Sequence, residues 1–97
     1  MRKIEIVNRI ADETGLTKVK AEQAVDAILE EIKDGLQRGE PVTLRRFGSF
    51  EVREKRARMG RNPKTGEEAE IPARRIVRFK SGKHFKESVN DSSYAQR

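Results

Sequence analysis

Residues 49–66 read SFEVREKRARMGRNPKTG, and the change of character along this stretch decides the fold. Even positions open apolar at Phe50 and Val52 and turn charged at Glu54, Arg56 and Arg58, whereas Ser49, Glu51, Arg53 and Lys55 are polar throughout. Alternation with period 2 is the mark of a strand. A strand whose inward parity loses its apolar residues part way along starts on a core and runs out past it. Met59 to Gly66 supplies turn residues and no core residue beyond Met59. Ile71 to Lys80 then returns as a second strand, with Val77 and Phe79 inward and Arg74, Ile76, Arg78 and Lys80 outward. The two strands predict a ribbon with a packed base, an arm over about residues 56–73, and a free tip at Asn62-Pro63.

Upstream the period is helical. Ile4, Val7, Ile10 and Ala11 recur on one face, and Gly15 stands where a left-handed glycine would end a helix. Thr17 is placed to cap a second helix, whose stripe is Ala21, Ala24, Val25, Ile28, Leu29, Ile32 and Leu36. Gly39 and Pro41 stop it. Val42-Thr43-Leu44 makes a short strand, and Arg45-Arg46-Phe47-Gly48 turns into the long one. A short helix begins near Gly82-Lys83 with Phe85 and Val89 as its apolar contacts, and Asp91 to Arg97 reads as a frayed polar tail. The expected fold is α+β: two N-terminal helices, a three-stranded antiparallel sheet extended into a protruding β-ribbon arm, and a short C-terminal helix. Residues 1–90 form one domain in this reading.

Composition points to a partner. Hydrophobic residues are 34% of the 97 and charged residues 39%, against roughly 45–50% and 25% in an ordinary globular chain. The stripe of the second helix is also longer than one short helix can cover, which favours a second subunit completing the core. The net charge of +6 is unevenly spread: residues 45–86 hold 14 basic and 5 acidic side chains, whereas residues 1–44 hold 7 and 9. One strongly positive surface on a nearly neutral scaffold is suited to a polyanion. The sequence has no cysteine, so disulfides and thiolate metal sites are excluded. It contains no apolar run of membrane-spanning length and no signal-peptide pattern, so a soluble, cytoplasmic protein is expected.

A projecting two-stranded ribbon is marginal by itself in water. It concentrates Arg53, Lys55, Arg56, Arg58, Arg61 and Lys64, which makes sense if nucleic acid supplies the missing contacts. Pro63 is compact, apolar and rigid, the attributes of a wedge that unstacks a base step and kinks a duplex. On composition alone, Asn-Pro and Thr-Gly do no more than build a turn.

The motifs Phe47-Gly48-Ser49-Phe50-Glu51-Val52-Arg53 and Gly60-Arg61-Asn62-Pro63-Lys64-Thr65-Gly66, with the order of elements, resemble the bacterial HU/integration-host-factor family over about residues 1–90. The resemblance implies an intertwined dimer, either of like chains or with a sister subunit, whose two arms embrace double-stranded DNA in the minor groove. Pro63 would intercalate, with Arg58, Arg61, Asn62 and Lys64 in the groove beside it. Arg45, Arg46, Arg53, Lys55, Arg56, Arg74 and Arg78 would line the DNA along the ribbon, and Lys80, Lys83 and Lys86 would meet flanking phosphates. Phe47, Phe50, Phe79 and Phe85 are expected in the core or dimer interface rather than as stacking platforms. The implied function is architectural: sequence-tolerant bending and compaction of DNA in the nucleoid, favouring nicked or kinked duplexes.

Two departures bear on selectivity. Arg46 stands where the family usually has glycine, which implies a different turn or an extra phosphate contact. The Arg-x-Glu-x-Arg pattern of the sequence-selective subunit of integration host factor falls on Pro41, Thr43 and Arg45, and only Arg45 matches. A sequence-selective subunit of a heterodimer and a basic RNA-binding protein are the alternatives. The wide, shallow minor groove of A-form RNA suits narrow arms poorly. No nucleophile–base pair, metal cluster or glycine-rich phosphate loop is visible, so neither an enzyme nor a cofactor or small-molecule site is expected. The only histidine, His84, reads as a surface or phosphate-facing residue, and Glu67, Glu68 and Glu70 read as salt partners for arginines.

Overall fold

The computed structural model describes residues 1–91; residues 92–97, most of the expected tail, lie outside the described part. Helix α1 spans Lys3–Thr14 and ends as the sequence requires, with Gly15 at φ 75° and its N–H donating to the Ala11 carbonyl. Arg2 precedes it without a capping side chain. Helix α2 spans Lys18–Gln37, and the Thr17 hydroxyl accepts from the Lys20 N–H at 3.2 Å. Its C-terminus closes at Gly39, φ 81°. Gly39 N–H donates to the Leu36 carbonyl and Glu40 N–H to that of Gly35, the paired bonds that satisfy otherwise orphaned carbonyls.

The helices meet through Val7, Ala11, Ala21 and Val25, all buried, with Ile10 packed against them. Alanine at two of these four places lets the backbones approach closely. At the rim of this contact Lys3 Nζ reaches Asp26 Oδ1 at 2.8 Å.

Strands β1 (Val42–Leu44), β2 (Gly48–Lys55) and β5 (Arg74–Ser81) form an antiparallel sheet in the order β1-β2-β5. Phe50 lies opposite Phe79 and Val52 opposite Val77, so the expected apolar parity holds. Gly48 is required where β1 turns into β2: a Cβ there would stand 2.6 Å from the Lys80 carbonyl oxygen and 2.6 Å from the Phe79 ring. Helix α3 (Lys83–Val89) follows β5.

Three expectations need correction. The strand predicted to run unbroken from Ser49 to Arg58 stops at Lys55, and pairing resumes in a separate two-stranded ladder of β3 (Arg58–Arg61) and β4 (Glu68–Ile71). Lys55 pairs with Arg74 and Arg58 with Ile71, which leaves two residues unpaired on each side. Pro72 is one of them: it has no N–H to give the ladder and restricts the residue before it. The return strand also begins at Glu68 rather than Ile71, because pairing with β3 outweighs the weak strand preference of glutamate. Finally, the facing holds but the burial expected from it is not met within one copy: Ile76 on the outward face is half-buried, and Val77 on the inward face is 61% exposed.

That last departure is part of a larger pattern. Among the described residues only Val7, Ala11, Ala21, Val25 and Leu36 are buried hydrophobics, whereas Ile28, Leu29, Phe47 and Phe79 are 58, 51, 42 and 42% exposed. The chain exposes 8616 Å², against about 5,700 Å² for a compact monomer of 11.1 kDa. One copy does not bury its own apolar surface.

Candidate nucleic-acid interface

The tip is a small hydrogen-bonded loop. Asn62 N–H donates to the Glu67 carbonyl at 2.8 Å, and Gly66 N–H donates back to the Asn62 carbonyl at 2.7 Å, with Gly66 at φ 73°. Asn62 Oδ1 accepts from the Lys64 N–H at 2.9 Å and Thr65 Oγ1 from the Glu67 N–H at 3.3 Å. The Asn62 side chain thus substitutes for a backbone turn and holds Pro63 and Lys64 fully outside the ladder. A plain Asn-Pro turn describes this geometry; what sets it apart is where the arm carries it.

Below the tip Arg61 Nη2 lies 3.6 Å from Glu68 Oε1 across the ladder, so one of the three acidic residues does act as a salt partner. Gly60 leaves room for Ile71, whose Cδ1 would lie 2.5 Å from a Cβ there. Alternation along β3 sends Arg58 and Arg61 to opposite faces of the arm. Arg56 falls in the break between the ladders.

The sheet separates its side chains by face. Residues directly opposite in an antiparallel pair share a face, and the register pairs Ser49 with Lys80, Glu51 with Arg78, Arg53 with Ile76, and Lys55 with Arg74. Arg53, Lys55, Arg74, Arg78 and Lys80 therefore lie on one face, all exposed. Glu51 is the carboxylate among them, 3.7 Å from Arg53. The other face carries Phe50, Val52, Val77 and Phe79. At the sheet's base Phe47, Phe50, Phe79 and Phe85 form one aromatic cluster with centroid distances of 4.9–5.8 Å and tilted to edge-on rings. The four phenylalanines thus contact one another rather than standing as separate platforms.

Arg45 and Arg46 project from the β1–β2 turn, closed by the Phe47 N–H donating to the Leu44 carbonyl at 3.0 Å. Arg46 has φ 67°, a left-handed geometry that glycine adopts without strain. Its Nη2 lies 2.8 Å from His84 Nε2 on α3. Lys83 and Lys86 are exposed on the same helix, Lys83 lying 3.9 Å from Glu87; they stand at the sheet's base, apart from the ribbon cations.

Arg75 was missed in the sequence. It donates to the Leu36 carbonyl at 3.2 Å and to that of Gln37 at 3.4 Å, placing a cation on the negative end of α2 and anchoring the ribbon base to the helices. Its parity was the available signal, since it shares the inward face with Val77 and Phe79. Among the described residues no group of acidic, histidine or cysteine side chains could hold a metal, and no helix is long and apolar enough to cross a membrane.

This chain combines a helical base, a sheet with one cationic face and an arm tipped by proline, and its fold is shared by known proteins. Residues 1–90 match the family described as bacterial DNA-binding protein, and the chain belongs to that family. It is 51% identical over 89 residues to the DNA-binding protein HU of Geobacillus stearothermophilus, covering 92% of this chain and 99% of the relative. Among solved structures it resembles an Anabaena HU–DNA cocrystal structure, with a TM-score of 0.86 and 47% identity over 94% of this chain and 99% of that one. HU from Thermotoga maritima superposes with a TM-score of 0.67 at 32% identity, over 93% and 100% of the two chains.

Proposed function

We propose that this chain is an architectural protein of the nucleoid that, as an intertwined dimer, binds double-stranded DNA and bends it with little regard to sequence, without catalysing a reaction. The observation that carries the reading is the face of five exposed cations, Arg53, Lys55, Arg74, Arg78 and Lys80, leading to an arm that ends in Pro63. DNA lying on this face would meet phosphates with those five side chains, with Arg45 and Arg56 at its margins and Lys83 and Lys86 receiving the flanks. The two arms would follow the minor groove, with Arg58, Arg61, Asn62 and Lys64 inside it and Pro63 wedged between base pairs.

Unstacking a base step costs a few kcal/mol, which the added phosphate contacts of the bent duplex offset. Because Asn62 Oδ1 is engaged by the Lys64 N–H, its amide NH₂ is the part left to donate into the groove, where A·T and G·C pairs both offer acceptors. This favours tolerance of sequence. A nick lowers the deformation cost, so nicked duplex should bind more tightly than intact duplex of the same sequence, and the difference should widen as salt is raised. Fluorescence energy transfer between duplex ends, followed through a salt titration, tests this. Equal affinity for the two duplexes with no change in end-to-end distance would reject the reading.

A further inference from the structure

We propose that Arg46 and His84 form a proton-linked clamp for a DNA phosphodiester group, one on each chain. The inference rests on the reading above that DNA lies on the basic face. A guanidinium only donates hydrogen bonds and keeps its proton at any ordinary pH. At 2.8 Å from Arg46 Nη2, which can only donate, His84 Nε2 is placed to accept. This contact exists only while His84 is uncharged; once Nε2 is protonated, two donors face each other.

The surroundings make an anion the natural third party. Arg46 borders a recess lined by Arg45, Arg46 and Lys80 with the small polar Thr43, Ser49 and Ser81, and by no carboxylate among the described residues. On its own helix His84 has Lys83 beside it and Glu87 one turn on, and these two lie 3.9 Å apart. Arg46 is held in a left-handed conformation, φ 67°, that L residues other than asparagine and aspartate rarely adopt. A long cationic side chain kept at such a position is accounted for if it has a binding task.

A phosphodiester entering between the two groups accepts from the guanidinium and from the imidazolium. The Arg46–His84 hydrogen bond breaks, two bonds to phosphate oxygens form, and Nε2 takes one proton from solvent. Imidazole ordinarily changes charge between about pH 5 and 8. Duplex affinity should therefore rise as pH falls through that range, by up to about tenfold per pH unit for each clamp engaged.

His84 is the only histidine, so its ring proton resonances can be followed without labelling. With intact duplex bound, the midpoint of its titration should rise relative to the free protein. In Arg46→Gly, which suits the left-handed turn, that rise should shrink. In parallel, His84→Ala should flatten the pH dependence of affinity measured by anisotropy, and His84→Arg should keep the low-pH affinity at every pH. If duplex binds but the midpoint stays put, or if Arg46→Gly leaves the rise unchanged so that the field of the DNA alone accounts for it, the clamp is overturned and the DNA-bending reading stands. Absence of duplex binding at any pH and low salt overturns both.

Discussion

Pro63 acts, in the proposed mechanism, through its ring and not through its backbone. The loop bonds that shape the tip belong to Asn62, Lys64, Thr65, Gly66 and Glu67. Pro63→Ala should therefore leave the tip formed, reduce the bend angle measured by energy transfer, and change affinity at low salt much less, because phosphate contacts dominate that term. An unchanged bend would remove the wedge from the mechanism. At the opposite end of the chain, Lys3 is held above its ordinary value of 10.5 by its hydrogen bond to Asp26 and by the charge of that carboxylate. A cation whose pKa is raised on folding contributes stability fully below its unfolded value, and the contribution fades as pH climbs through the folded one. The stability deficit of Lys3→Met, from urea midpoints, should thus be constant between about pH 6 and 9 and shrink above 10.5. The pair is solvent-exposed, so the deficit should be small and fall with salt.

Among the elements, the ribbon is two ladders separated by a break, and the break sits between the body and the arm. Arg75 fixes the body side by bonding the last carbonyls of α2. Arg75→Ala should cost about 1 kcal/mol, the scale of a partly exposed charged hydrogen bond at a helix C-terminus, and should raise amide exchange at Val52 and Val77 more than at the tip. Equal effects at base and tip would mean that the ladders are mechanically continuous. How much of this could be read beforehand follows from the range of each signal. Helices α1 and α2, with Gly15, Thr17 and Gly39 at their ends, were legible because caps and apolar period are local. The parity that puts five cations on one face was legible for the same reason. The break at Pro72 was available in principle, but the alternation on either side of it was strong enough to read through. Arg75 on α2 and Arg46 on His84 each join residues 38 positions apart, and such contacts leave no periodic trace.

The whole molecule is too open for its length. Its radius of gyration is 19.0 Å and its extents are 56 × 36 × 27 Å, against a radius of about 12–13 Å for a compact domain of this size. The arm explains the elongation, but not the exposure of Ile28, Leu29, Val77 and Phe79, which lie on α2 and β5 rather than on the arm. Those side chains line the faces that a second copy would cover, so folding and association should be one event. If so, the thermal midpoint of the protein purified alone should rise with concentration, because subunit binding stabilises by mass action, and native mass measurement should find two chains. Leu29→Glu, which sets charge into that face while removing no contact from the core of Val7, Ala11, Ala21 and Val25, should lower the midpoint and steepen its concentration dependence. A midpoint independent of concentration, with a folded species at the mass of one chain, would mean that one copy folds with Ile28, Leu29, Val77 and Phe79 uncovered, and would separate folding from association.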